Sequence, residues 1–195
     1  MKSLRIGEYQ PLGLDMIIRH GTACLLFWFL GLPLLAFLPL PALRLAGGAL
    51  GVFLSMLAVL DFRYGLLYDR LLLPMALLGL GLELMGVLPA GAEAALAASL
   101  GAAGCFGALR FASGGGLGLG DVKFAAVLGI WLGYPGIVVA TALAVCLGGL
   151  WAFGLLLRGH GAGECLPFGP CLSLGAYISY IFGEIIWQSY WEMLL

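Results

Sequence analysis

"GGGLGLGDVKFAAVLGIWLGYPGIVVATALAVCLGGLWAFGLLL", Gly114 to Leu157, decides what kind of protein this chain is. A glycine-rich loop leads into Asp121 and Lys123, and from there to Leu157 no charge occurs. A membrane-spanning helix needs about 20 mostly apolar residues, and somewhat fewer when its ends are polar. The stretch therefore predicts two spans, Val122 to Gly133 and Pro135 to Leu157, turning at "GYPG". The rest of the chain is of the same kind. Of its 195 residues 63% are hydrophobic and only 10% are charged, with a mean hydropathy of +1.09. A soluble domain carries roughly 25% charged residues, so this chain belongs in a bilayer. The same composition excludes intrinsic disorder. The 32 glycines show no collagen period and suit close helix packing in lipid. With a net charge of -1 and no basic tract, nucleic acid is not an expected partner.

Working outward, five further spans are expected: Gly21 to Ala42, Leu45 to Leu60, Leu71 to Leu88 with Glu83 inside it, Ala92 to Leu109, and Phe168 to about Trp187. The chain then divides into an N-terminal cytoplasmic segment (1–20), an N-terminal transmembrane helix (21–44) and a membrane domain (45–195). The first 20 residues are mixed and polar, and no small-residue cleavage site closes the run that follows, so it reads as a retained helix. The fold class is all-α and polytopic, six core helices plus one at the N-terminus. With residues 1–20 inside, Lys2, Arg5, Arg19, Arg63, Arg70, Arg110, Lys123 and Arg158 are cytoplasmic and only Arg44 is outside. That is the bias of the positive-inside rule. Cys24, Cys105, Cys146, Cys165 and Cys171 form no CxxC, and His20 and His160 have no partners at ligand spacing, so no metal or cofactor is expected. A reducing cytoplasm would keep Cys165 and Cys171 as thiols.

This topology brings two acids to one depth, Asp61 at the end of the second span and Asp121 at the start of the fifth. A carboxylate in a membrane segment is costly and marks function or a partner. Two together hold one proton readily, because like charges drive their proton affinities apart. One can take a proton from water while the other donates to a peptide carbonyl. Plainer readings exist for each acid. Asp121 can cap its helix, Asp61 can pair with Arg63, and Asp69, beside Arg70, can be a solvated loop acid. Gly118 and Gly120 remove bulk beside Asp121. They do not make a nucleotide loop, since no strand precedes them and no GK[ST] follows. Lys123 is either a snorkelling edge residue or a positive charge acting on one of the acids.

Three stretches resemble the type IV prepilin leader peptidases and archaeal preflagellin peptidases, membrane aspartyl proteases of the GxGD type. "DFRYGLLYDRLLLP" is similar to the family's first motif, matching Asp61, Asp69 and Pro74. "GLGDVKFAAVLGIWLG" is similar to the second, matching Asp121 and Lys123. "LPFGPCLSLGA" is similar to the third, matching Pro167, Phe168, Gly169 and Pro170. Tyr68 stands where the family usually has proline, and the usual threonine near Leu72 is absent. The resemblance implies catalysis by Asp61 and Asp121, with Asp69, Gly118, Gly120, Lys123 and the Pro167–Pro170 stretch supporting the site or positioning substrate. It implies cleavage of short basic leaders from prepilin-like or pseudopilin precursors at the cytoplasmic edge of the cell membrane. Members with a zinc-binding CxxC domain also N-methylate the product. No such domain is seen here, so cleavage without methylation is expected. Two other readings stand beside this one. In a small proton- or cation-coupled transporter component, paired acids would carry ions. In a presenilin-like protease, the "YD" acid Asp69 would be Asp121's partner.

Overall fold

The computed structural model describes Gly21, residues 31–158 and residues 167–194. A 3-10 helix, Leu32–Phe37, precedes five α-helices: α1 (Pro41–Tyr64), α2 (Asp69–Leu84), α3 (Ala92–Ala112), α4 (Leu119–Leu157) and α5 (Phe168–Leu194). Among the described residues, α1, α3, α4 and α5 are long and apolar enough to cross a membrane. The protein is therefore all-α and polytopic. The expected N-terminal segment, His20, His160, Cys24 and Cys165 lie outside the described residues. Cys105, Cys146 and Cys171 are free thiols.

The expected first span, Gly21 to Ala42, does not run through to Ala42. Leu38 and Leu40 are extended, with ψ of 133° and 135°, and each precedes a proline. Proline's ring disfavours helical geometry in the residue before it. Pro41 then opens α1, where its fixed φ and missing N–H suit the first helical position. The second span thus starts four residues ahead of Leu45. At its other end Gly65 takes a left-handed conformation (φ 63°, ψ 27°) and its N–H bonds to the Asp61 carbonyl at 2.8 Å, a helix stop that favours glycine.

At 39 residues, α4 would measure about 58 Å if straight, against a hydrocarbon core of about 30 Å. It is not straight. Gly133 (φ 58°, ψ -166°) and Tyr134 (φ -102°, ψ 131°) break the helical path, at the "GYPG" turn read from the sequence. A Cβ built on Gly129 would lie 2.6 Å from Ser99 Cα on α3, and one on Gly133 would lie 2.5 Å from Ala90 Cβ, before α3 begins. The first half of α4 thus runs antiparallel to α3. Beyond the break, Gly183 of α5 lies against Gly136, Gly175 against Ala140 and Ala144, and Phe168 and Cys171 against Gly148. The second half therefore returns antiparallel to α5.

These pairings collect the C-terminus of α1, the N-terminus of α2, the C-terminus of α3, the start of α4 and the start of α5 at one end of the bundle. The "GYPG" break lies at the opposite end. There Tyr180 Oη donates to the Leu43 carbonyl at 3.0 Å and Gly91 N–H donates to Glu83 Oε2 at 2.9 Å. Glu83, an acid expected within a span, therefore ties the end of α2 to the start of α3. The backbone of α1 packs on α5 and α2, while that of α4 packs on α3, α5 and α2. The backbones of α1 and α4 do not meet.

Trp131 sits at the centre, 1% exposed, and its indole N–H donates to the Met75 carbonyl at 2.9 Å. Gly79 makes room for that ring: a Cβ there would lie 2.6 Å from Nε1. The contact at Gly129 is tighter in kind, because it is with the α3 main chain, which cannot rotate away. Gly129→Leu is expected to force α3 and α4 apart at a cost of about 1–3 kcal/mol. The check is a lowered melting temperature of the detergent-solubilised protein. Gly101→Leu, at a position with open space, is expected to leave it unchanged.

Candidate active site

Asp61 lies in the last turn of α1, 7% exposed. Its Oδ2 accepts the backbone N–H of Gly169 at 2.8 Å, across 108 residues of sequence. Asp61 makes no ion pair with Arg63 among the described residues. Gly169 is the glycine of "PFGP" at the start of α5. A Cβ there would lie 2.5 Å from Asp61 Oδ2 and 2.9 Å from Asp61 Cβ, so only glycine allows this approach. Pro167 and Pro170 bracket the contact, and the Phe168 ring packs on Phe106 of α3 with centroids 6.2 Å apart.

Asp121 lies in the first turn of α4, half-buried, close enough for its charge to act on Asp61. Its Oδ2 accepts the N–H of Gly118, the N-cap residue, at 3.2 Å. The capping reading of Asp121 is therefore realised in the structure. It does not compete with a place beside Asp61, because one carboxylate can close its own helix end and still face a second acid. A Cβ at Gly118 would lie 3.0 Å from that same Oδ2, so the glycine keeps the carboxylate in place.

Asp69 and Lys123 meet each other and not the acid pair. Lys123 Nζ contacts the Asp69 carboxylate at 2.7 and 2.9 Å, with the two side chains 55% and 62% exposed. The lysine's positive charge is spent on Asp69, the second acid of the first motif, and so links the first motif to the second. Beside this pair Leu67, in the loop between α1 and α2, covers Gly120, where a Cβ would lie 2.9 Å from Leu67 Cβ. The bulk removed at Gly120 thus admits this loop. An Arg110 guanidinium N–H donates to the Leu117 carbonyl and ties the glycine-rich loop back to α3.

All three sequence stretches thus converge. The Gly169 amide joins the third motif to Asp61, and the Lys123–Asp69 and Leu67–Gly120 contacts join the second motif to the first. Sequence reasoning named the stretches but missed which atoms join them. The Gly169 amide on Asp61 and the Leu67 cover on Gly120 are tertiary contacts, and no local pattern announces them. Among the described residues no group of three His, Cys, Asp or Glu side chains is arranged to hold a metal ion.

A family model described as "Type IV leader peptidase family" matches residues 48–153, which include both Asp61 and Asp121. A prepilin leader peptidase/N-methyltransferase of Aeromonas salmonicida (strain A449) is 33% identical over 144 residues, 71% of this chain and 50% of the relative. That of Aeromonas hydrophila is 32% identical over 139 residues, 69% of this chain and 48% of the relative. One from Bacillus subtilis (strain 168) is 35% identical over 82 residues, 42% of this chain and 33% of the relative. The chain spans about half the length of the two Aeromonas relatives, and no solved structure matches it. The family model covers more than half of the chain, and the acid cluster falls on the motifs that resemble the family's own; the chain belongs to the type IV leader peptidase family.

Proposed function

We propose that this chain is a membrane aspartyl endopeptidase that removes short basic leaders from prepilin-like precursors at the cytoplasmic edge of the cell membrane. The observation that supports this reading is the Gly169 amide on Asp61, which joins the first and third motifs, while the Lys123–Asp69 pair brings the second motif, with Asp121, against the first. In the reaction one carboxylate takes a proton from water and the water oxygen attacks the scissile carbonyl. The other, protonated, donates to the carbonyl oxygen. Collapse of the tetrahedral intermediate returns a proton to the departing amine and frees the leader. The proposed activity is cleavage without methylation. The link between the 3-10 helix and α1 is only residues 38–40, which leaves no room there for an inserted domain.

The rival assignments fit less well. A transport path needs acids within the span, whereas Asp61 and Asp121 sit at helix ends. Pairing Asp121 with Asp69 is disfavoured because Asp69 is exposed and engaged by Lys123. In the proposed topology six core segments cross the bilayer: α1, α2, α3, the two halves of α4, and α5. Arg63, Arg70, Arg110, Lys123 and Arg158 gather at the acid end and Arg44 at the other, a distribution that supports a cytoplasmic orientation of the acids.

Two experiments test this. Co-expression with a precursor carrying a short basic leader should shorten that precursor, and an unchanged precursor at matched enzyme levels would reject the activity. A periplasm-active reporter fused after Gly133 should be active and one fused after His160 silent. The opposite pair of signals would reverse the topology.

A further inference from the structure

Asp121 stands on the buried stripe of α4. Phe124, Ala125 and Leu128, three, four and seven residues further on, share its face, and all three are fully buried. That stripe fixes the body of the helix. It does not fix the turn ahead of Phe124, which carries the acid. The first turn of a helix is the least secured, because its N–H groups lack intrahelical partners. The chain leading into it gives little hold. Gly114 and Gly115 are left-handed there (φ 62° and 93°), and glycine is the residue with most backbone freedom. Nor does α1 brace the turn, since the backbones of α1 and α4 do not meet.

Two side-chain contacts do hold it. Leu67 lies against Gly120, and Lys123 Nζ meets the Asp69 carboxylate at 2.7 and 2.9 Å. Gly120 and Lys123 are three residues apart, which puts them on one face of α4, and they flank Asp121 in sequence. Leu67 and Asp69 follow Asp61 by six and eight residues, in the connection from α1 into α2. We propose that Leu67 and Lys123 are positioning residues of the proposed reaction: together they clamp the first turn of α4 to the chain that follows Asp61, and so aim the Asp121 carboxylate. The inference rests on the leader peptidase reading and deepens it. Leu67 is not one of the motif residues, and Lys123 acts through the place it gives Asp121 and not on substrate.

One contact is a close apolar fit and the other a charge pair, so each can be disturbed alone. The test uses the full chain in detergent with a precursor carrying a short basic leader, and reads kcat, KM and melting temperature. Asp69→Asn leaves an oxygen for Lys123 to donate to and is too mild for this purpose. Lys123→Glu sets two negative charges against each other and should lower kcat about tenfold. Adding Asp69→Lys restores an opposite pair and should bring kcat back to within about threefold of wild type. Gly120→Ala disturbs the other contact without any charge. Its methyl would fall 2.9 Å from Leu67 Cβ, so the turn must shift, and kcat should again fall about tenfold. Alanine is the better helix former, so a weaker helix would not account for the loss.

In all three variants KM should stay within about twofold and the melting temperature within about 3 °C. Wild-type kcat in Lys123→Glu or in Gly120→Ala would overturn the clamp and leave the peptidase reading standing. So would a double exchange no more active than Lys123→Glu alone, which would give the lysine's charge another use. A rise in KM in place of the fall in kcat would make these residues a leader-binding site, and losses that follow the melting temperature would mark a structural role. Either outcome overturns the assignment. An intact precursor with the wild-type chain would reject the peptidase reading, and the clamp with it.

Discussion

Asparagine at Asp61 or at Asp121 is expected to abolish precursor cleavage, with a loss of roughly 10²–10⁴-fold for either. The two carboxyls do different work at the same moment, one charged and one protonated, so neither can replace the other. The double variant is therefore expected to be no worse than either single one, as for groups that act as a unit. Asparagine keeps the side chain's shape, and at position 61 its amide oxygen can still accept the Gly169 N–H seen at 2.8 Å. Membrane insertion should be unaffected. The measurement is the size shift of a co-expressed precursor, with enzyme levels matched by immunoblot. Asp69→Asn is the control. It removes an exposed ion pair of a kind worth about 0–1 kcal/mol, so clear activity should remain. An active Asp61→Asn with a dead Asp69→Asn would transfer the catalytic role to Asp69. Activity in both Asp61→Asn and Asp121→Asn would end the aspartyl mechanism.

Gly169→Ala is expected to cost nearly as much with no acid touched. The added methyl would fall 2.5 Å from Asp61 Oδ2 and 2.9 Å from its Cβ, and both partners are buried. Either the start of α5 or the carboxylate must move, and the amide hydrogen bond is lost. A displacement of about 1 Å in a catalytic group can cost about 10²-fold in rate. The loss should fall on kcat, because the change displaces a catalytic group. Gly149→Ala is the matched control, since that position has open space around it, and full activity is expected. Wild-type kcat in Gly169→Ala would show that the amide contact does not position Asp61.

The bilayer class, the α4 turn at "GYPG" and the acids at helix ends were legible because each is local. Hydropathy accumulates over neighbouring residues, and a Gly-Tyr-Pro-Gly run breaks a helix by its own dihedral limits. The start of α1 was misplaced for a reason equally local but two-sided. A span from Gly21 to Ala42 takes in both Pro39 and Pro41, whereas they unwind the residues before them and Pro41 opens the next helix. The partners of Lys123 and Asp61 were not legible at all. Lys123 lies two residues from Asp121 in sequence and pairs with Asp69 across the α2–α4 contact. Glu83 was visible as an acid in an apolar run, but its use, bonding the Gly91 amide, depends on how the next loop folds back. The family resemblance supplied the three motifs in order, and the structure adds the atoms by which they touch.

The backbones of α1 and α4 never meet, although each carries one of the two acids. Their spacing is inherited from α2 on one side and α5 on the other. Any molecule that grips both carboxyls, whether a transition-state mimic or an inhibitor, therefore joins two helices that have no backbone contact of their own. Such a ligand acts as the missing brace of the frame. Its binding energy should then appear as resistance of the whole bundle to heat, in proportion to occupancy, so that melting temperature alone could rank compounds for this site before any substrate is in hand.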